Sequence, residues 1–134
     1  MSQENVQIVR AAVAAFDSAD AEAVIALAHP EFEARVAPEL STEPDTYRGE
    51  DGIRRYIASF EDAFEDVCFE TEGMWDAGGD DVVVALRMTA TGKTTKIPVE
   101  QRNGGVWTIR DGLIVRIETY VSAAAARRAA GLED

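Results

Sequence analysis

The residues best equipped for chemistry lie in the strand-like second half of the sequence. Glu100 and Arg102 are two positions apart, as are Glu118 and Tyr120. Residues two apart on a β-strand share a face, so each pair sets a carboxylate beside a second polar group. A carboxylate turned into an apolar cavity loses its water, which raises its pKa and makes it a usable general acid or base. Trp75, Met88 and Trp107 are available as apolar walls for such a cavity. Arg102 could neutralise one glutamate and leave the other free to shuttle a proton. Glu118 and Glu100 are therefore the catalytic candidates, and Tyr120, Arg102, Trp75, Trp107, Tyr47 and Met88 are candidate substrate contacts. His29, the only histidine, completes the set. It falls where Pro30 should end a helix, and an imidazolium is favoured at a helix C-terminus. It would sit there as a structural residue or at the rim of a pocket.

The same residues have a plainer reading. Glu100 and Arg102 could form ion pairs on a solvated face. Glu118 could stand in water while Leu113, Val115, Ile117, Thr119 and Val121 form the core face of the last strand. A dimer through an open sheet face would bury both sides, so alternation alone does not choose between them. Tyr56 reads as core, and Cys68, with no basic neighbours in sequence, as an inert core thiol.

Several classes of function are excluded or unsignalled. There is no Ser–His–Asp order, phosphate-binding loop or dinucleotide fingerprint. One histidine and one cysteine give no ligand cluster, so no metal and no cofactor is expected. The net charge of -12 repels phosphate backbones and anionic lipid, which argues against nucleic-acid and membrane partners. No apolar run reaches the roughly 20 residues of a membrane span, and the first residues lack the pattern of a secretory signal. A cytoplasmic location is the expectation. At 134 residues, 46% hydrophobic and 28% charged, the chain has the size and composition of one globular domain spanning 1–134.

The elements that must position these residues follow from periodicity. Val6, Val9, Val13 and Phe16 recur at helical spacing over 3–18, and Asp20 can cap a second helix over 21–28. A short strand is expected over 32–36, and a proline-containing acidic loop over 37–46. Ile53, Tyr56, Ile57, Phe60, Phe64 and Val67 form one stripe on a third helix. The period then changes to two. Strands are expected over 68–77, 82–90, 97–102, 106–110 and 113–121, with turns at Gly78-Gly79-Asp80, Thr91-Gly92-Lys93 and Asp111-Gly112. Ser122 caps a short alanine-rich helix that Gly131 closes. Helices followed by a meander imply an α+β fold.

Three stretches carry a family resemblance. They are Tyr47-Arg48-Gly49 running into Gly52-Ile53, the segment from Val106 to Val115, and Glu118-Thr119-Tyr120 running into the tail helix. With the element order, they make the chain resemble the SnoaL-like and ketosteroid-isomerase-like proteins of the nuclear transport factor 2-like superfamily. The resemblance implies a cone, with three N-terminal helices packed on a strongly curved, mostly antiparallel sheet and a short C-terminal helix. It also implies a pocket for a small apolar organic molecule and, in many members, a homodimer through the open sheet face. Members include isomerases, cyclases, hydrolases and non-catalytic binding modules, so cofactor-free acid-base chemistry and simple ligand binding both stand. On its own, Asn103-Gly104-Gly105 reads as a hairpin turn; the resemblance instead places it inside one long strand as a bulge or bend, and that arrangement is preferred. One departure is visible: Tyr120-Val121-Ser122 stands where relatives often carry an acidic residue.

Overall fold

A computed structural model describes residues 2–37 and 46–132. Most of the loop expected over 37–46 lies outside the described residues. The order of elements is α1 (Ser2–Asp17), α2 (Ala21–Leu27), β1 (Ala28–Arg35), β2 (Thr46–Arg48), α3 (Gly49–Ala63), β3 (Phe64–Asp76), β4 (Asp81–Gly92), β5 (Pro98–Arg110), β6 (Leu113–Tyr120) and α4 (Ala123–Ala129). The six strands form one sheet in the order β2-β1-β6-β5-β4-β3. All neighbours are antiparallel except β1 and β6, which run parallel. The fold is α+β: helices pack on a curved, mostly antiparallel sheet, and a short helix ends the described chain. No helix among the described residues is long and apolar enough to cross a membrane.

The helices form where capping and periodicity agree. Asp20 accepts a hydrogen bond from the Ala23 N–H at 3.1 Å and starts α2. Ser122 accepts from the Ala125 N–H at the same distance and starts α4. The helical stripes bury Val9, Ala12 and Val13 of α1, Val24 of α2, and Ile53 and Ile57 of α3 against the inner sheet face. That face contributes Phe32 and Ala34, Val82 and Val84, Trp107 and Ile109, and Ile114 and Ile117 to the same core. A second, smaller cluster lies on the outer face. There Ala126 of α4 covers Val83 and Val106, with Trp75 and Tyr120 packed at its edge.

Four expectations are corrected. Helix α3 ends at Ala63 rather than carrying its stripe through Phe64 and Val67. Phe64 is already extended (φ -134°, ψ 158°) and begins β3, so helix passes directly into strand. His29 does not end a helix: Ala28 is extended, Pro30 holds His29 extended as well, and both belong to β1. Cys68 is exposed, because it lies opposite Thr89 on the outer side of an edge strand. Finally, Asn103-Gly104-Gly105 lies inside one long strand, as the family resemblance implies, and is neither the hairpin turn its residues suggest nor a bulge. The β4–β5 register runs without a break from Asp81↔Thr108 to Thr91↔Pro98. Gly104 is glycine because α4 starts on top of it: a Cβ there would lie 2.6 Å from the Ser122 carbonyl oxygen and 2.8 Å from the Ala123 Cα.

Two irregularities decide which side chains reach the inside. In β3 the register shifts between Thr71 and Gly73. One extra residue reverses the alternation, so Phe69 faces the same side as Met74 while Trp75 faces the other. In β6 the pairing jumps from Thr108↔Arg116 to Ile109↔Ile114 and passes over Val115. Ile114 therefore shares the inner face with Ile117 and Thr119 rather than with Arg116 and Glu118.

Candidate functional site

Between α3 and the concave face, the core gives way to a cavity of about 420 Å³. Stripe residues divide the labour along α3. Ile53 and Ile57 are buried in the core, while Tyr56, Ser59 and Phe60 line the cavity. Helix α1 adds Val13 and Phe16, β2 adds Tyr47, β3 adds Phe69, and β4 adds Leu86 and Met88. Strand β5 supplies Gln101, Asn103 and Trp107, and β6 supplies Ile117 and Thr119.

The aromatic residues form a connected wall. Phe16 packs edge-on against Tyr56 (5.8 Å between ring centres) and Trp107 (6.2 Å). Tyr56 contacts Phe60 at 5.4 Å, and Phe60 contacts Phe69 at 5.3 Å. Such edge-to-face pairs fix ring orientation as well as burying area. Tyr47 lies 4.9 Å from Tyr56, with the Arg55 guanidinium 5.0 Å from its ring centre on the helix side. Its position depends on Gly52: a Cβ there would come within 2.6 Å of the Tyr47 carbonyl carbon. The Tyr47-Arg48-Gly49…Gly52 sequence thus lets β2 lie against the first turn of α3 and turns Tyr47 inward.

The polar groups of the cavity are almost all neutral. Thr119 is committed, its hydroxyl oxygen accepting from the Ala37 N–H at 2.8 Å. The Ser59 hydroxyl donates to the Tyr56 carbonyl at 2.6 Å. The side-chain amides of Gln101 and Asn103 and the hydroxyls of Tyr47 and Tyr56 hydrogen-bond to no described residue. Burial, with a smaller contribution from Tyr47, pushes the Tyr56 phenol up to about 12, so at neutral pH it is a pure hydrogen-bonding group. Asp62 is the one carboxylate among the described lining residues, and it is exposed.

The sequence-derived candidates divide cleanly. Tyr47, Met88 and Trp107 line the cavity. Glu100, Arg102, Glu118, Tyr120, Trp75 and His29 do not. Glu100 projects from the outer face, where its carboxylate accepts from Arg87 (2.6 and 2.9 Å) and Arg102 (2.8 Å). Arg87 is the main cause of the lowering of the Glu100 pKa, the opposite of what a general acid at neutral pH requires. Arg102 also holds Glu72 at 3.1 Å. Glu118 stands on the same outer face, between Arg116 (3.6 Å) and Arg35 (3.8 Å). Tyr120 and Trp75 lie in the cluster beneath α4, and the Arg127 guanidinium sits 4.9 Å from the Trp75 ring centre. His29 is half-buried and uses Nδ1 to accept from the Glu31 N–H at 3.0 Å. The outer face therefore carries these charged pairs, and its Val83 and Val106 are covered by the chain's own α4. Of the apolar row expected to meet a partner, Ile117 and Thr119 face the cavity instead, and Val121 is exposed.

Among the described residues, no group of three or more His, Cys, Asp or Glu is placed to hold a metal ion. The cavity residues that sequence reasoning missed are Gln101, Asn103, Phe16, Phe60 and Phe69. A usable signal existed in Trp107: it shares its face with Gln101 and Asn103, not with Glu100 and Arg102.

Comparison with known proteins agrees with this architecture. The sequence matches the SnoaL-like domain family over residues 9–117. The chain belongs to that family. No curated protein matches it. Among solved structures it resembles an NTF2-like protein from Burkholderia thailandensis E264, at 26% identity over 95% of this chain and 96% of the other, with a TM-score of 0.78. It also resembles TerC, crystallised with polyporic acid, at 21% identity over 96% and 98% of the two chains, with a TM-score of 0.78. A protein from Jannaschia sp. CCS1, provisionally named a SnoaL-like polyketide cyclase, aligns at 17% identity over 90% and 86%, with a TM-score of 0.77.

Proposed function

We propose that this SnoaL-like domain binds a small, largely apolar organic molecule between α3 and the concave sheet face, and that neither Glu100 nor Glu118 acts on it as acid or base. The observation that carries this reading is the composition of the cavity wall. Aromatic and aliphatic side chains enclose about 420 Å³, a volume suited to a compact organic ligand. Glu100 and Glu118, the carboxylate candidates for proton transfer, form ion pairs on the other side of the sheet. The small organic molecule crystallised with TerC and the provisional cyclase name of the Jannaschia protein support the ligand class.

The test is calorimetric titration of small aromatic carbonyl compounds into the purified chain, repeated with E100Q and E118Q. Saturable binding that both variants retain supports the reading. Loss of binding or of turnover in either variant would return the site to the outer face. A homodimer through that face belongs to the same proposal, joined by its rows of arginine and glutamate. Light scattering tests it: a two-chain mass at low ionic strength should fall toward one chain as salt screens the pairs.

A further inference from the structure

The cavity carries a pattern that narrows its ligand, an inference that rests on the binding reading above. Two carboxamides, Gln101 and Asn103, stand two residues apart on β5, roughly 6.5 Å along the strand. Both line the cavity, both are half-buried, and neither side chain hydrogen-bonds to a described residue. On the helix side, the Tyr47 and Tyr56 hydroxyls are likewise without a partner among the described residues. No lysine, arginine or histidine lines the cavity among the described residues, and the one carboxylate, Asp62, is exposed.

We infer that the ligand is an uncharged aromatic molecule bearing an adjacent hydrogen-bond donor and acceptor, such as a carboxamide, lactam or hydroxy-ketone edge, read by the Gln101 and Asn103 amides. Each carboxamide has both an acceptor oxygen and an N–H₂ donor. The pair can therefore meet a donor and an acceptor at once, which a lone carbonyl, having no donor, cannot exploit fully. A buried group left unpaired costs more than its hydrogen bond gains, so a ligand lacking one half of this edge is discriminated against. An anionic ligand is disfavoured twice. Its charge would enter an apolar wall with no cation to meet it, and the chain's net charge of -12 repels it during approach. The aromatic requirement comes from Phe16, Tyr56, Phe60, Phe69 and Trp107, whose rings face the same space.

Three compounds of nearly equal shape test this by calorimetry: 2-naphthamide, 2-acetylnaphthalene and 2-naphthoate. The naphthamide should bind at least about tenfold more tightly than acetylnaphthalene, and naphthoate should bind weakest. The double variant Q101L/N103L, which removes both side-chain oxygens able to accept from the ligand's N–H, should abolish the preference for the amide. The double variant should still bind acetylnaphthalene. If acetylnaphthalene or naphthoate matches the amide, or if the double variant keeps the preference, the carboxamide inference falls while the binding cavity stands. If none of the three compounds binds the unaltered chain, the cavity reading itself falls and takes this inference with it.

Discussion

Burial keeps the Tyr56 phenol neutral far into the alkaline range, its pKa pushed up to about 12 from the ordinary 10. This has a defined sign for stability. Below about pH 10 the phenol is protonated in both folded and unfolded chains, so it adds no pH dependence. Between about pH 10 and 12 the unfolded chain releases a proton that the folded chain retains, so stability falls as pH rises, by up to about 2–3 kcal/mol. Urea unfolding at about pH 9 and pH 11 should show that fall, and Y56F should reduce it. A second prediction concerns the outer-face glutamates: because their ion pairs are solvent-exposed, E100Q and E118Q should leave ligand affinity within about twofold of the unaltered chain. Trp107 and Glu100 cannot share a face of one regular strand, since they stand seven positions apart. Holding Trp107 inward requires Gln101 and Asn103 inward too once 103–105 is regular strand; a bulge there, as preferred from the sequence, would have reversed the alternation. Trp75 could not be placed from the sequence, because its direction is set by a register shift that no residue type announces.

The elements themselves were largely legible. Hydrophobic periodicity located α1 and α3, the Asp20 and Ser122 caps marked the starts of α2 and α4, and the Gly78-Gly79 and Asp111-Gly112 turns adopt positive φ as their sequences suggest. Boundaries failed where two elements abut without a loop, as at Ala63–Phe64, because an apolar stripe continues across the change of period. The three-residue β2 was too short to carry a pattern at all. Gly104 shows how a glycine inside a strand can mark an approach rather than a turn. The substitution G104A should drive the start of α4 off the sheet and cost about 1–3 kcal/mol, measured by denaturant unfolding. Trp75 fluorescence should change with it, because α4 supplies the Arg127 cover of that ring. Replacing Ser122 by alanine removes only the cap and should cost about 0.5–2 kcal/mol.

Across the whole molecule, the helices and sheet divide one apolar interior into a sealed part and a hollow part, and substitutions should report the division. Phe32 is 1% exposed in the sealed core, so F32A should cost about 3–5 kcal/mol in a thermal or denaturant melt. Phe60 is half-buried on the cavity wall; F60A should cost less than about 3 kcal/mol yet weaken ligand binding. Composition and element order revealed the fold, but not where the interior is hollow, because a cavity is a property of how far apart packed elements stand. The parallel pairing of β1 with β6 has a further consequence, in time rather than space. Ala37, just beyond β1, is tied to Thr119 of β6 across 82 positions of sequence. During synthesis β1 must wait for almost the entire chain before its longer ladder exists, and Tyr47, carried on β2, waits with it. Such distant closure makes folding slow, on the order of milliseconds to seconds. A nascent chain halted before residue 113 should therefore be open to protease throughout β1 and β2, and it becomes resistant there only once β6 has emerged.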